Sequence, residues 1–144
     1  LWEDVDIMFI DMPPGTGDVP LSVYQSIPLS GIIIVTTPQD LVGMIVRKAV
    51  NMANLMNVPV LGLVENMSYF TCPDCGKRYE IFGASKAEAL ARQYNIPAYA
   101  RMPIDPNVAR LADEGKIAEA DTDALQEIFL QVEKAREINS FKAE

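Results

Sequence analysis

The sequence contains no histidine and only two cysteines among its 144 residues. The missing histidine excludes serine–histidine and cysteine–histidine catalysis, histidine metal ligands and a histidine pH switch. Both cysteines fall in the stretch "TCPDCG" at 71–76, too close together to make a good structural disulfide. No basic, apolar leader opens the sequence. These absences predict a cytoplasmic protein whose cysteines stay reduced.

Long hydrophobic runs and an excess of positive charge are also missing. No apolar run approaches the roughly 20 residues that a membrane-spanning helix needs. Aspartate and glutamate number 20 against 12 lysines and arginines, a net charge of −8, so the chain should repel nucleic acid. The C-terminal stretch has few large apolar residues and is a weak membrane anchor. We therefore expect neither nucleic acid nor a membrane as a partner.

What is present is the composition of a globular protein. Hydrophobic residues make up 49% of the chain, and 144 residues are enough to bury a core. No repeat, low-complexity tract or linker divides the sequence, which predicts a single domain over 1–144. The first residue is leucine rather than methionine, and an apolar run follows within a few residues. This start is typical of part of a longer protein.

Apolar runs alternate with amphipathic stretches along the chain. Helices are predicted between the runs, with Asp40, Ser85 and Asp105 as N-terminal caps, and a C-terminal helix is predicted over 121–142. Single helices between strands imply right-handed crossovers, and therefore an α/β fold with a partial doubly wound, mainly parallel sheet flanked by helices. The runs that predict strands cover 5–11, 31–37, 59–65 and 98–102.

The most polar and irregular segments follow these predicted strands, where ligands of parallel sheets bind. One of them is "DMPPGTGD" at 11–18, at the end of the first predicted strand. A strand-terminal carboxylate can hold the water shell of a magnesium ion, and glycines let backbone N–H groups approach a phosphate. The alternative is an aspartate that only caps a turn.

The C-x-x-C pair, Cys72 and Cys75, offers two thiolates to a soft metal or cluster. Such sites favour four sulfur ligands, and one chain supplies two. A complete site therefore needs a second chain, most simply across a two-fold axis. A zinc site, a redox dithiol and two idle thiols are the alternatives that the spacing leaves open.

Taken together, these stretches resemble the Mrp/ApbC family of P-loop ATPases, relatives of MinD, ParA and the nitrogenase iron protein. The resemblance covers about residues 5–115, and the last helix matches only in kind. It implies an iron–sulfur cluster carrier or assembly ATPase of MinD-like fold. The motifs that carry it, in family order, are "DMPPGTGD" (11–18), "VTTPQD" (35–40), "VPVLGLVENMSYFTCPDCGK" (58–77), "IFG" (81–83) and "MPIDPNV" (102–108).

The resemblance implies a role for the residues of two motifs. Asp11 would belong to a water-mediated magnesium site, Gly15 would sense the γ-phosphate, and Asp18 would lie in a moving switch. Cys72 and Cys75 would hold a [4Fe–4S] cluster that two subunits share, with zinc as the alternative metal.

A second group of residues would contact the nucleotide. The resemblance implies that the amide of Asn66 reads the adenine edge, while Pro103 and the segment after it, including Asp105, pack on the base. From the residues alone, Asn66 is equally well explained as a turn residue. Asp105 before a proline is better explained as a helix cap.

The sequence contains no Walker A motif, G-x-x-x-x-G-K-S/T, which cradles the phosphates of ATP. In the resembled family that loop comes first, so it would lie upstream of Leu1, and its strand would insert between the predicted strands at 5–11 and 31–37. We therefore expect the C-terminal part of a longer ATPase. On its own, such a chain should not hydrolyse ATP and should self-associate through unpaired strand edges.

The leading hypothesis is therefore an iron–sulfur carrier that acts as a homodimer and passes its cluster to apo iron–sulfur proteins. In the intact parent, ATP and magnesium would control the dimer. A MinD/ParA-like positioning ATPase without metal is the second hypothesis, but it leaves the C-x-x-C pair unexplained. The third is a zinc site that only staples a dimer.

Overall fold

The computed structural model describes residues 5–15, 17–39 and 41–140. Short 3-10 helices at Ile117–Glu119 and Asp123–Leu125 precede the last helix. In chain order the other elements are α1 (Asp18–Ser26), β1 (Ile32–Thr36), α2 (Val42–Leu55), β2 (Val60–Thr71), β3 (Arg78–Tyr79), α3 (Ala87–Gln93), β4 (Tyr99–Pro103), α4 (Pro106–Asp113) and α5 (Gln126–Ser140).

The long strand β2 is the centre of the sheet. It pairs in parallel with β1 on one side and with β4 on the other, so that Thr36 lies opposite Glu65, which lies opposite Arg101. Its far end turns back into an antiparallel pair with the two-residue strand β3. The result is a mainly parallel sheet with helices between its strands, which confirms the predicted α/β fold class.

Apolar side chains cover both faces of β2, because neighbouring residues of a strand point to opposite faces. Leu63 packs in a cluster with residues of α2 and α3, including Val46 and Leu90. Val64, the next residue, packs in a second cluster with Ile128 of α5. The continuous apolar sequence of β2 therefore indicates a strand that is buried between two layers of helices.

Residues 5–11 form no strand, so this part of the prediction was wrong. Each residue of the segment is exposed, and the side chain of Phe9 is the most exposed of its apolar residues at 65%. A strand needs a neighbour for its backbone hydrogen bonds, and within the described ranges no strand pairs with this segment. An ion pair of 2.8 Å between Arg136 Nη2 and Asp6 Oδ1 joins it to α5.

The central strand is also longer than the predicted 59–65, because it continues through a bulge. Its register with β4 shifts between Glu65 and Tyr69, and Met67 adopts a left-handed conformation with φ of 55°. The bulge inserts extra residues without ending the strand. Helix α1 was not predicted, since Gly17 precedes it and no side chain caps it.

The predicted helix caps had different outcomes. Asp40 lies outside the described residues. The capping box of Ser85 and Glu88 does not form, because α3 begins at Ala87 and Glu88 pairs with Arg92 at 2.5 Å. Ser85 still contributes to the helix start, since its Oγ accepts a hydrogen bond of 3.4 Å from the N–H of Ala87. The cap of α4 is confirmed: Asp105 Oδ1 accepts a hydrogen bond of 2.8 Å from the N–H of Asn107.

Candidate functional site

The carboxyl ends of β1, β2 and β4 meet at one edge of the sheet, as the parallel register requires. This edge carries three of the predicted polar segments: the residues after Thr36, the bulge after Glu65, and the residues after Met102. The "IFG" motif returns to the same edge, since a side chain built at Gly83 would lie 3.6 Å from the carbonyl oxygen of Pro38. Distant parts of the sequence therefore form one surface.

The residues assigned to magnesium and the switch lie in the exposed N-terminal part of the chain. Asp11 and Asp18 are both exposed, and Asp18 is the first residue of α1. Gly15 has φ of 98°, a conformation that favours glycine, so the turn needs this residue type locally. No hydrogen bond or ion pair between described residues holds the Asp11 carboxylate. The phosphate-related roles of these three residues stay predictions.

Two of the residues assigned to the nucleotide base lie on adjacent strands. Asn66 lies in the bulge of β2, where its Oδ1 accepts a hydrogen bond of 2.9 Å from the N–H of Met67. Pro103 ends β4 opposite Tyr69, and the next N–H, that of Ile104, donates to Tyr69 O at 2.7 Å. Asn66 thus acts as a turn residue in this structure, and its contact with a base stays a prediction.

The cysteine hairpin, residues 70–79, is formed by the end of β2, a tight turn and β3. Its backbone is closed by a hydrogen bond of 2.9 Å from the N–H of Cys72 to Lys77 O. Inside the turn the N–H of Gly76 donates to Cys72 O, also at 2.9 Å, and Gly76 has φ of 69°. Glycine is favoured there because other residues rarely adopt that conformation. The spacing C-x-x-C-G is therefore a requirement of the turn itself.

The turn prepares Cys72 to act as a ligand. Interaction of its sulfur with the backbone N–H of Cys75, then with that of Asp74, and then with the Cys75 thiol lowers the pKa of Cys72. Such donors stabilise the thiolate, which is the form that binds metals. Cys72 is half-buried, Cys75 is exposed, and neither forms a disulfide. Both sulfurs therefore lie next to each other and are accessible.

These residues fit half of a thiolate metal centre. Two sulfurs and their N–H donors suit a soft metal ion or an iron–sulfur cluster, in which hydrogen bonds to sulfur are usual. Among the residues that the structure describes, no group of three or more Cys, Asp or Glu side chains is arranged to hold a metal ion. One chain therefore offers two ligands, as the sequence predicts.

A buried polar network beside the hairpin was missed from the sequence. Glu65 and Ser68 are both 0% exposed, and Ser68 Oγ donates to Glu65 Oε1 at 2.6 Å. The N–H of Lys86 donates to Glu65 Oε2 at 3.1 Å. Arg101 Nε donates to Ser68 Oγ at 2.8 Å, and its Nη2 pairs with Glu80 Oε1 at 2.6 Å. The available signal was a glutamate inside an apolar strand, which must find partners when it is buried.

Comparison with known proteins identifies the family to which a chain with these motifs belongs. The ParA family model, described as NUBPL iron-transfer P-loop NTPase, matches residues 1–136. The chain belongs to this family. The resemblance to the Mrp/ApbC ATPases is thereby confirmed.

Curated relatives of this chain are named as iron–sulfur cluster carrier or transfer proteins. The iron-sulfur cluster carrier protein of Aquifex aeolicus is 41% identical over 136 residues, covering 92% of this chain and 37% of the relative. The iron-sulfur cluster transfer protein NUBPL of Mus musculus is 46% identical over 115 residues, covering 80% and 36%. The chain thus spans less than half the length of these relatives.

A solved structure extends the comparison to the fold. The nucleotide-binding protein of Archaeoglobus fulgidus, in complex with ADP and with cobalt found by PIXE, superposes with a TM-score of 0.74 at 46% identity. The match covers 80% of this chain and 47% of that one. Within the described ranges, no helix of the present chain is long and apolar enough to cross a membrane.

Proposed function

We propose that this chain is part of an iron–sulfur cluster carrier and that the cysteine hairpin holds a [4Fe–4S] cluster as cargo. The observation that carries the proposal is the turn itself, which two backbone hydrogen bonds close around Cys72 and which leaves both cysteines free and accessible to a ligand. The family and the names of the curated relatives support the same conclusion.

The proposal includes a homodimer, because a cluster with four thiolate ligands needs two such hairpins. Cys75 is exposed, so its sulfur is open to a second copy. The cluster would then pass to apo iron–sulfur proteins, whose thiolates can replace those of Cys72 and Cys75 one at a time. A cytoplasmic location belongs to the proposal, since a reducing compartment keeps both thiols free.

For the intact protein we propose that ATP and magnesium control this dimer. The Archaeoglobus relative was solved with ADP, which supports a nucleotide site in the family. On this chain Asp11, Gly15 and Asp18 would face the phosphates. Asn66, Pro103 and Asp105 would lie around the base. Without a Walker A motif in its sequence, the 144-residue chain should not hydrolyse ATP by itself.

Anaerobic reconstitution with iron and sulfide tests the cluster. We expect the chain to develop broad visible absorbance, with about four irons per two chains for one shared Cys₄ cluster. Cys72→Ala with Cys75→Ala should abolish it. Asp74→Asn is the matched control, since it alters the same turn but keeps both sulfurs and their N–H donors. Equal cluster content in the double variant and the unmodified chain would refute the proposal.

Zinc is the second candidate for this hairpin, because zinc also binds four thiolates and the same N–H donors would suit it. Metal analysis of anaerobically purified protein distinguishes the two. Zinc at about one ion per two chains, with no cluster after reconstitution, would favour a site that only staples the dimer. A protein that takes up neither metal would favour a MinD/ParA-like positioning ATPase.

A further inference from the structure

The cysteine hairpin projects from the sheet with little packing of its own. Residues 73–84 are all exposed, and β3 contributes only two residues to the backbone pairing. So short a pair of strands is not stable in isolation. The backbone of β2 continues from the sheet into the outgoing arm, so side chains outside the turn can fix the direction of the returning arm.

Arg101 provides the connection between the sheet and the returning arm of the hairpin. Its Nη2 pairs with Glu80 Oε1 at 2.6 Å, and Glu80 directly follows β3. The guanidinium also lies 5.5 Å from the ring centre of Tyr69, within cation–π range. Arg78 of β3 lies over the same ring at 4.6 Å. Cations from the sheet and from the hairpin thus converge on one aromatic side chain.

The buried side chains of Ser68 and Glu65 fix the position of Arg101. Its Nε donates to Ser68 Oγ at 2.8 Å, and Ser68 in turn donates to Glu65, whose side chain is 0% exposed. Glu65 also accepts from the N–H of Lys86, which immediately precedes α3. One hydrogen-bond network therefore connects β4, the bulge of β2 and Lys86, at the end of the segment that follows the hairpin.

We propose that Arg101, fixed by Glu65 and Ser68 and paired with Glu80, is a positioning residue that sets the direction in which the hairpin presents Cys72 and Cys75. The proposal rests on the proposed function, since a site shared by two chains forms only if both hairpins point correctly. A hairpin without this anchor would lose more conformational entropy when the metal binds. Groups that orient metal ligands typically change metal affinity about 10- to 100-fold.

Glu80→Gln is the sharpest variant, because it removes the charge of an exposed partner without touching a cysteine or the core. Glu114→Gln is its matched control: Glu114, which follows α4, pairs with Arg110 at 2.6 Å and with Lys116 at 3.0 Å. Its exposed fraction is similar, 38% against 41% for Glu80. Cobalt(II) is the probe, titrated anaerobically and followed by its thiolate charge-transfer absorbance. Hydrogen exchange at the N–H of Cys72 is measured on the metal-free chain.

We expect Glu80→Gln to weaken cobalt binding about tenfold and to speed exchange at the Cys72 amide, while Glu114→Gln changes neither. Arg101→Lys should behave like Glu80→Gln, since an ammonium cannot bond Ser68 and Glu80 in the fork geometry of a guanidinium. Unchanged exchange in Glu80→Gln would overturn the proposal, with or without a change in affinity. If the unmodified chain binds no metal, the proposed function fails, and the exchange measurement still decides the positioning role.

Discussion

At the scale of single residues, Glu65 carries the one fully buried carboxyl group in the described part of the molecule. A fully buried carboxylate is tolerated only when hydrogen bonds replace its water. Here the hydroxyl of Ser68 and the N–H of Lys86 donate to its two oxygens, and Arg101 Nε lies 3.8 Å from one of them. Ser68 lies on the same strand as Glu65, but Arg101 lies on β4 and Lys86 immediately precedes α3, so the residue also joins these parts of the fold.

We predict that Glu65→Ala lowers the free energy of unfolding by about 3 kcal/mol, because it removes two hydrogen bonds to a charged group and leaves the Lys86 N–H without its acceptor. Glu65→Gln keeps the shape and one acceptor and should lose about 1–2 kcal/mol. Urea unfolding measures both values. Glu133→Ala, an exposed position of α5, should stay within about 0.5 kcal/mol of the unmodified chain, and an equal loss there would contradict the assignment.

At the scale of elements, α4 shows how a local signal can specify a helix start. Asp105 accepts from the N–H of Asn107, and Pro106 fills the first helical position, where its missing N–H costs nothing. Both residues act within one turn of the helix. The signal for the start of α4 is therefore local, in contrast to α3, where the N–H of Lys86, just before the helix, donates to Glu65 of β2.

We predict that Asp105→Ala lowers the free energy of unfolding by about 1 kcal/mol through the lost cap. Thermal unfolding followed by circular dichroism measures the change. Asp113→Ala removes an exposed aspartate at the other end of the same helix, where a negative charge opposes the helix dipole, so it should not destabilise the chain. Equal losses in the two variants would show that charge rather than capping matters.

At the scale of the whole molecule, the segment at 5–11 leaves a patch of apolar side chains in water. Val5, Met8 and Phe9 are each at least half exposed, and they follow one another closely in sequence. Contiguous apolar surface of this kind promotes association. β1 adds a second attractive surface, since within the described ranges it pairs only with β2 and leaves its other edge open.

We predict that the 144-residue chain self-associates without metal, as seen by light scattering in the presence of a chelator. Phe9→Glu should reduce the average mass because it places a charge in the apolar patch. Ile117→Glu, an isolated apolar residue that is 52% exposed, is the matched control and should not. A monomeric unmodified chain with an intact far-ultraviolet spectrum would contradict this prediction.

Local signals in the sequence were enough for much of the fold and part of the site. The apolar runs at 31–37 and 98–102 predicted β1 and β4, and Asp105 predicted the start of α4. The C-x-x-C-G spacing likewise forms its own turn, since the N–H of Gly76 donates to Cys72 O within five residues. The sequence by itself determined the start of α4 and the cysteine turn because every group involved lies within one helical turn or one hairpin. The runs at 31–37 and 98–102 became strands because each of them also pairs with β2.

Only the tertiary structure decided the rest. The run at 5–11 has the composition of a buried strand, yet it stays exposed because no described strand pairs with it. The sequence did not predict the network that joins Glu65, Ser68, Arg101 and Glu80. Ser68 and Arg101, which are hydrogen-bonded in it, are 33 positions apart. Strand pairing and buried charge networks depend on groups that are distant in sequence, and only the folded sheet brings those groups within hydrogen-bonding distance.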